Sequence, residues 1–445
     1  MEIWRAQVMH TPRDPFTEGG ALEAFSDGGL AFADGRIEAV GSFDQIRAAY
    51  PDADVRDERD AVLVPGFVDT HVHFPQLAIM GSMGLSLLDW LERYALPEEV
   101  RMADPEHARR VAREFVAGLA GNGTTTALVF GSHFPAAQEA LFDAAERSGL
   151  RIASGLVVSD RNLRPELHVD PEHAYEAGRE LAERWHGRGR LRYAVTPRFS
   201  LSCTEGMLEA CGALHGEVGA LVTSHMNENV DEVAAVRAAF DGFDDYLHTY
   251  EHFGLVGEST VLAHNDHPSE RELARLGAAR ASVAHCPESN AFLGSGLFPM
   301  RDHLDHGVRV ALGTDVGAGT GLSMLKEALT AYQLQMLRPD PPPIGPAHLL
   351  YLSTRAGARA LGMDDVGDLS PGKAADLVLL RPPPGSTLEA VLRHSDSPER
   401  TLGALFALAR EESVVEVRIA GEAVTPGTAS QAPPGGTGGA SPPNA

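Results

Sequence analysis

Eight short apolar runs, separated by stretches with helical patterning, fill the middle of this chain and narrow its possible folds more than any other feature. They read "VLVPGFVD", "TTTALVF", "RIASGLVVS", "LRYAVTPR", "GALVTSH", "STVLAH", "ASVAHC" and "VRVALGTD". Strands buried on both faces read as near-continuous apolar runs, and parallel neighbours need a crossover that is usually a helix. "PEHARRVAREFVAGLAGN" and "PAAQEALFDAAERSG" fit that role. The second is bounded by Pro135 and Gly149, the residue types favoured at a helix start and just past its end. Eight β-then-α units over ~300 residues predict an α/β fold, a (β/α)8 TIM-like barrel. A doubly wound open sheet is the alternative, but no glycine-rich phosphate loop supports it: "GAGTGLS" after Asp315 lacks the strand–helix spacing of a dinucleotide site and is expected to be a flexible rim loop.

The chain ends have a different texture. "GGLAFADGRIEAVGS" places a D-G turn between apolar segments, and "DLSPGKAADLVLL" and "VVEVRIAGEAV" repeat the pattern late in the chain. The two ends together predict one small β-domain. From Thr425 onward, "TPGTASQAPPGGTGGASPPNA" has too little apolar surface to offset ordering entropy and is expected to be a disordered tail.

Several of the apolar runs stop at a histidine or an aspartate. In "VDTHVH", His71 and His73 share one face of an extended strand. "LVTSH" ends in His225, "TVLAH" in His264, "ASVAH" in His285, and "VRVALGTD" in Asp315. One such ending is easily a structural residue, but a barrel brings all of them to its C-terminal rim, where active sites are assembled. Three imidazoles and a carboxylate suit zinc or another borderline divalent cation, which lowers the pKa of a bound water toward ~7. Glu228, three residues after His225, is placed to move protons there; it also reads as an acidic residue before a helix N-terminus. Gln76 offers both a donor and an acceptor. Arg198 and Phe199, in "VTPRFS", read either as a donor fork and a stacking ring or as an ion-pair residue and a core residue.

Composition excludes several classes of partner. Lys and Arg number 37 against 62 Asp and Glu, a net charge of −25 that repels phosphate backbones and anionic lipids. Neither nucleic acid nor a membrane is expected as a partner, and no apolar run reaches the ~18 residues of a spanning helix. "MEIWRAQVMHTPRDPF" breaks with charge and proline before an apolar signal core could form, so a cytoplasmic location is expected. Cys203, Cys211 and Cys286 are too few and scattered for a disulfide framework.

Taken together, "PGFVDTHVHFPQ", "LLDWLERYALPEE", "TPRFSLSC", "SHMNENVDEV", "AHCPESN", "LGSGLF" and "LGTDVGAGTGLSML" resemble the guanine deaminases of the amidohydrolase superfamily. The resemblance spans nearly the whole chain except the tail. It implies a barrel over 63–366, a small β-sandwich built from 1–62 and 367–425, and a Gly/Pro/Ser-rich tail at 426–445. It further implies one zinc ion per subunit and a homodimer. His71, His73, His225 and Asp315 match the zinc ligands, Glu228 the proton shuttle, and His264 the histidine beside the reacting water. Gln76, Arg198 and Phe199 match the guanine-contacting positions, with His285 counted beside them from its motif. The reaction implied is hydrolysis of guanine to xanthine and ammonia, with Asp315 taking a proton from water and Glu228 protonating N3. A relative acting on another purine, a pterin or a triazine is the nearest rival, and an inactive barrel scaffold is the rival from another class. The filled ligand set argues against the scaffold.

Overall fold

In a computed structural model of the chain, residues 1–424 are described, and the segment expected to be a disordered tail lies outside them. The eight apolar runs form the parallel strands Phe67–His73, Thr124–Phe130, Arg151–Gly155, Arg192–Pro197, Leu221–Met226, Thr260–His264, Ser282–His285 and Arg309–Leu312. Each pairs with the next in sequence order. The ring closes just past the last strand, where the Asp315 amide donates to the His71 carbonyl (2.8 Å) and the His73 amide to the Val316 carbonyl (2.9 Å). The fold is therefore the predicted (β/α)8 barrel. Thr124–Phe130 is buried at every position, as expected for a strand covered on both faces.

Local sequence sets the helix bounds. Pro105–Gly121 starts at a proline, and the Asp104 side chain caps it by accepting from the Glu106 amide. Pro135–Ser148 ends on Gly149 at φ +78°, a left-handed stop that costs glycine little.

Both chain ends contribute to a second sheet of seven strands, in the order Glu422–Val424, Val414–Ile419, Leu377–Leu380, Asp54–Pro65, Glu2–His10, Glu23–Ala33, Arg36–Ser42. It is mixed, because Glu2–His10 and Asp54–Pro65 run parallel while the other neighbours are antiparallel. The turn at Asp34-Gly35 has φ +50° and +78°, and that at Ala420-Gly421 has +48° and +77°, the left-handed pairs that tight hairpins require. Alternation along the strands divides the sheet's two faces. Trp4, Leu63, Leu377 and Leu379 enclose a core of the sheet's own, whereas Val62, Val64, Val378 and Leu380 join the barrel core. The small sheet is thus anchored to the barrel by its second face.

Two details differ from expectation. "VLVPGFVD" is not one strand: Asp54–Pro65 belongs to the small sheet, running past residue 62, and Phe67–His73 to the barrel. Gly66 between them lies so close to the next barrel strand that a Cβ would sit 2.1 Å from Thr125 Oγ1. "GAGTGLS" was expected to be a flexible rim loop, but Gly317, Ala318 and Gly319 are buried. A Cβ on Gly319 would meet the Thr314 carbonyl oxygen at 1.7 Å, so these glycines serve close packing. Cys203, Cys211 and Cys286 are buried free thiols.

Candidate active site

The strand ends converge as expected. One nitrogen or oxygen from each of His71, His73, His225 and Asp315 lies within 4.8 Å of the others. His73 Nε2 is 3.2 Å from both His71 Nε2 and His225 Nε2. Asp315 Oδ1 approaches His71 and His73 at 3.3 and 3.1 Å. The His225 Nδ1–H donates to the Arg198 carbonyl at 2.7 Å, which leaves the Nε2 lone pair facing the cluster. Burial pushes His73 down to about 3 and His225 well below its usual value. Burial acts to raise Asp315, but bonds from His71 and His73 hold it well below the carboxylate range. Neutral imidazoles facing an ionised carboxylate are the forms that bind a metal. Lone pairs aimed at one point repel unless a cation sits among them, so this donor set fits zinc or a similar divalent ion.

Backbone geometry marks the same rim. His264 and Asp315 adopt φ of +70° and +47°, values uncommon for residues with a Cβ and enriched where function demands a special orientation. Asp69 lies beneath, holding the first and eighth strands together. It accepts from the Thr314 hydroxyl (2.6 Å) and amide (3.1 Å) and from the His71 amide (3.2 Å). Burial still pushes its carboxyl up to about 6.

Above the cluster is a small, partly open cavity. His73, His225 and Asp315 form one part of its wall, and Gln76, Arg198, Phe199, Glu228 and His264 face it, with Trp90 and Leu293 among the apolar residues. Burial, followed by the charges of Asp315 and Glu232, pushes Glu228 well above the usual range, which favours its protonated form. Ser295 Oγ donates to Glu228 Oε1 at 3.2 Å. Glu228 Oε2 lies 3.5 Å from His264 Nε2, a buried nitrogen with no hydrogen-bond partner. The other His264 nitrogen donates to Asn290 Oδ1 at 2.9 Å, and the Asn290 amide donates to Asp266 Oδ1 at 2.8 Å. Two of the predicted residues do not line the cavity: His71, which belongs to the cluster beneath it, and His285, whose ring stacks on Phe298 at 4.2 Å.

Sequence reading missed Glu99. It sits on the short helix Leu96–Arg101, is only 3% exposed, and binds both Gln76 and Arg198. Its only sequence signal is the acidic pair in "ALPEE", which has no periodicity to say which acid turns inward. Asn290 was visible only as part of a motif, with nothing to link it to His264.

A parallel barrel carrying three histidines and an aspartate where its strands end defines a metal-dependent barrel enzyme. The chain belongs to the amidohydrolase family, whose model matches residues 62–424. A second model, the bacterial imidazolonepropionase-like composite domain, matches residues 28–53 in the small sheet. A protein of Deinococcus radiodurans described as a probable guanine deaminase is 57% identical over 432 residues, covering 95% of this chain and 98% of its own. The guanine deaminase of Escherichia coli K12 is 38% identical over 423 residues, covering 94% and 95%. A solved structure of E. coli guanine deaminase superposes with a TM-score of 0.92 at 37% identity, over 96% of this chain and 99% of that one. The crystal structure of guanine deaminase from C. acetobutylicum with guanine bound in the active site gives 0.88 at 25%, covering 95% and 100%.

Proposed function

We propose that this chain hydrolyses guanine to xanthine and ammonia with one zinc ion held by His71, His73, His225 and Asp315. The observation that carries the reading is the composition of the cavity wall: the buried Glu228 carboxyl and the unpartnered His264 nitrogen stand beside the metal-type cluster. Arg198 and Gln76 supply donors to the same cavity. The relatives named as guanine deaminases supply the choice of substrate. When bound, zinc would lower the pKa of water toward ~7 and so supply a nucleophile at neutral pH.

The chain's own groups do the rest. Phe199 presents a ring face to a flat heterocycle. Arg198 and Gln76 address its polar edge and hold C2 toward the cluster. Asp315 accepts the proton released by the attacking water. Glu228 gives its proton to ring nitrogen N3, which makes C2 more electrophilic, and the proton relayed to the exocyclic amine lets ammonia leave. His264 keeps an acceptor nitrogen toward the water because Asn290 takes its Nδ1–H. His285 contributes through packing beneath the site in this reading.

The test is to incubate purified protein with guanine, adenine, an aminopterin and an aminotriazine, following ultraviolet absorbance and ammonia release with and without a chelator. Turnover of guanine that stops on chelation and returns with zinc is expected. Silence on guanine with turnover of another amine sinks the substrate assignment. The reading carries a homodimer with it, which sedimentation would show as twice the chain mass, and a cytoplasmic location. Among the described residues no helix is long and apolar enough to cross a membrane.

A further inference from the structure

The carboxylate of Glu99 organises one wall of the cavity without lining it. Arg198 Nη1 donates to both of its oxygens, at 2.8 and 3.0 Å, and Gln76 Nε2 donates to Oε1 at 2.8 Å. His133 Nδ1 lies 3.5 Å from Oε2. Glu99, Arg198 and Gln76 are each 3% exposed or less.

Two consequences follow from elementary chemistry. An ionised carboxylate only accepts, so Glu99 settles which end of the Gln76 amide faces it. The Gln76 oxygen is thereby turned to the Gly317 amide, which donates to it at 3.1 Å. The amide nitrogen also lies 3.4 Å from His73 Nδ1, beside the cavity that both residues line. The guanidinium is a rigid plane, so anchoring Nη1 fixes the direction of its other donors. Among the described residues the Arg198 side chain donates to Glu99 and to no other group, which leaves those donors to the cavity. The pair is buried and its charges cancel. Arg198 therefore offers oriented N–H groups with no net charge beside them, an arrangement that suits a neutral carbonyl better than an anion.

We propose that Glu99 is the positioning residue for substrate recognition: it orients Arg198 and Gln76 and cancels the Arg198 charge, so that the site selects an uncharged oxo-purine over an anionic one. This rests on the guanine reading above. The neighbouring Glu98 has no part in it, because it turns to Arg101 (2.6 Å) and His107 (3.1 Å).

The test compares zinc-loaded wild type with Glu99→Gln, measuring KM and kcat for guanine and inhibition by two purines that lack the 2-amine. Hypoxanthine is neutral at neutral pH, and urate is a monoanion. The expected result for Glu99→Gln is a KM at least tenfold higher, a smaller change in kcat, and unchanged zinc content. Hypoxanthine inhibition should weaken by a similar factor, and the preference for hypoxanthine over urate should fall at least tenfold. An unchanged KM, or equal weakening of both inhibitors, overturns the proposal. Should Glu99→Gln not fold, Glu99→Gln/Arg198→Gln replaces it, since it leaves no unpaired buried charge. Its KM should exceed that of Arg198→Gln alone by no more than Gln76→Ala raises the KM of Arg198→Gln, and a larger rise overturns the proposal. Wild type that does not turn over guanine removes the functional reading itself; wild-type turnover with an indifferent Glu99→Gln removes only the role of Glu99.

Discussion

Glu228 shows how much a single residue's surroundings decide. Viewed alone in the sequence it divides evenly between a helix-terminus charge and a proton shuttle, and only its place beside His225 favours catalysis; Val230–Ala239 does begin just after it. The helix, however, is capped by others: the Asn229 side chain accepts from the Asp231 amide, and Glu232 reaches back to the amides of Glu228 and Asn229. That frees the Glu228 carboxyl to face the cavity, where burial and two neighbouring carboxylates favour its protonated form. Glu228→Gln preserves the side chain's shape and removes only the transferable proton. Turnover should drop on the order of 10²–10⁴-fold, the usual share of general acid–base catalysis, with zinc content and Tm close to wild type. A variant that retains near wild-type kcat would show that the proton comes from elsewhere. His285 makes the opposite point. Its strand-end position was legible, but the direction of its ring was set by stacking on Phe298, a residue far enough along the chain that no local pattern announces the contact.

At the scale of the element, the site depends on how closely the first and eighth strands approach. Gly319 donates its amide to the Asp315 carbonyl at 2.6 Å, and an added Cβ there would overlap the Thr314 carbonyl oxygen. Gly319→Ala must push the loop off Asp315, so metal content should fall along with roughly 1–3 kcal/mol of stability, the usual cost of overpacking. Gly321, with nothing within 4 Å of its Cβ position, provides the control. If both alanine variants bind zinc and melt alike, the loop does not hold Asp315 as described. The strands were legible because apolar runs on a doubly buried sheet have few other uses, and the terminal histidines because strand period fixes their face. Glu99 was not legible. Leu96–Arg101 follows directly on the π-helical segment Leu91–Ala95, which breaks the 3.6-residue period, so neither period nor cap tells an inward acid from an outward one. The split of "VLVPGFVD" was hidden for a related reason: only the approach of Thr125, nearly sixty residues later, shows why the chain changes sheets at Gly66.

For the whole molecule, the ligand cluster and the buried histidines make stability depend on metal and on pH. The four ligands come from the first and fifth strands and from just beyond the eighth, so a bound cation ties together parts of the barrel that are remote in sequence. Metal a hundredfold above its Kd stabilises by about 2.7 kcal/mol, and chelation should lower Tm reversibly, with recovery on adding zinc. Acid sensitivity has a separate source in His303. Its Nδ1–H donates to the Pro299 carbonyl at 2.8 Å, and its Nε2 accepts from the Asn265 amide, also at 2.8 Å. Burial lowers it from 6.5 to about 4, so the folded chain holds this ring neutral. Above pH 6.5 neither state is protonated there and stability is unaffected. As pH falls from 6.5 toward 4, the unfolded chain takes up a proton that the folded chain refuses, and stability is lost at up to about 1.4 kcal/mol per pH unit. Because the ligand histidines also respond to acid once metal is present, the comparison belongs in chelated protein. Urea midpoints for wild type and His303→Gln from pH 8 to pH 4.5 should diverge below pH 6.5, with the shallower slope in the variant. Parallel slopes would mean that His303 is protonated in the folded chain, contrary to the lone pair its contact with Asn265 requires.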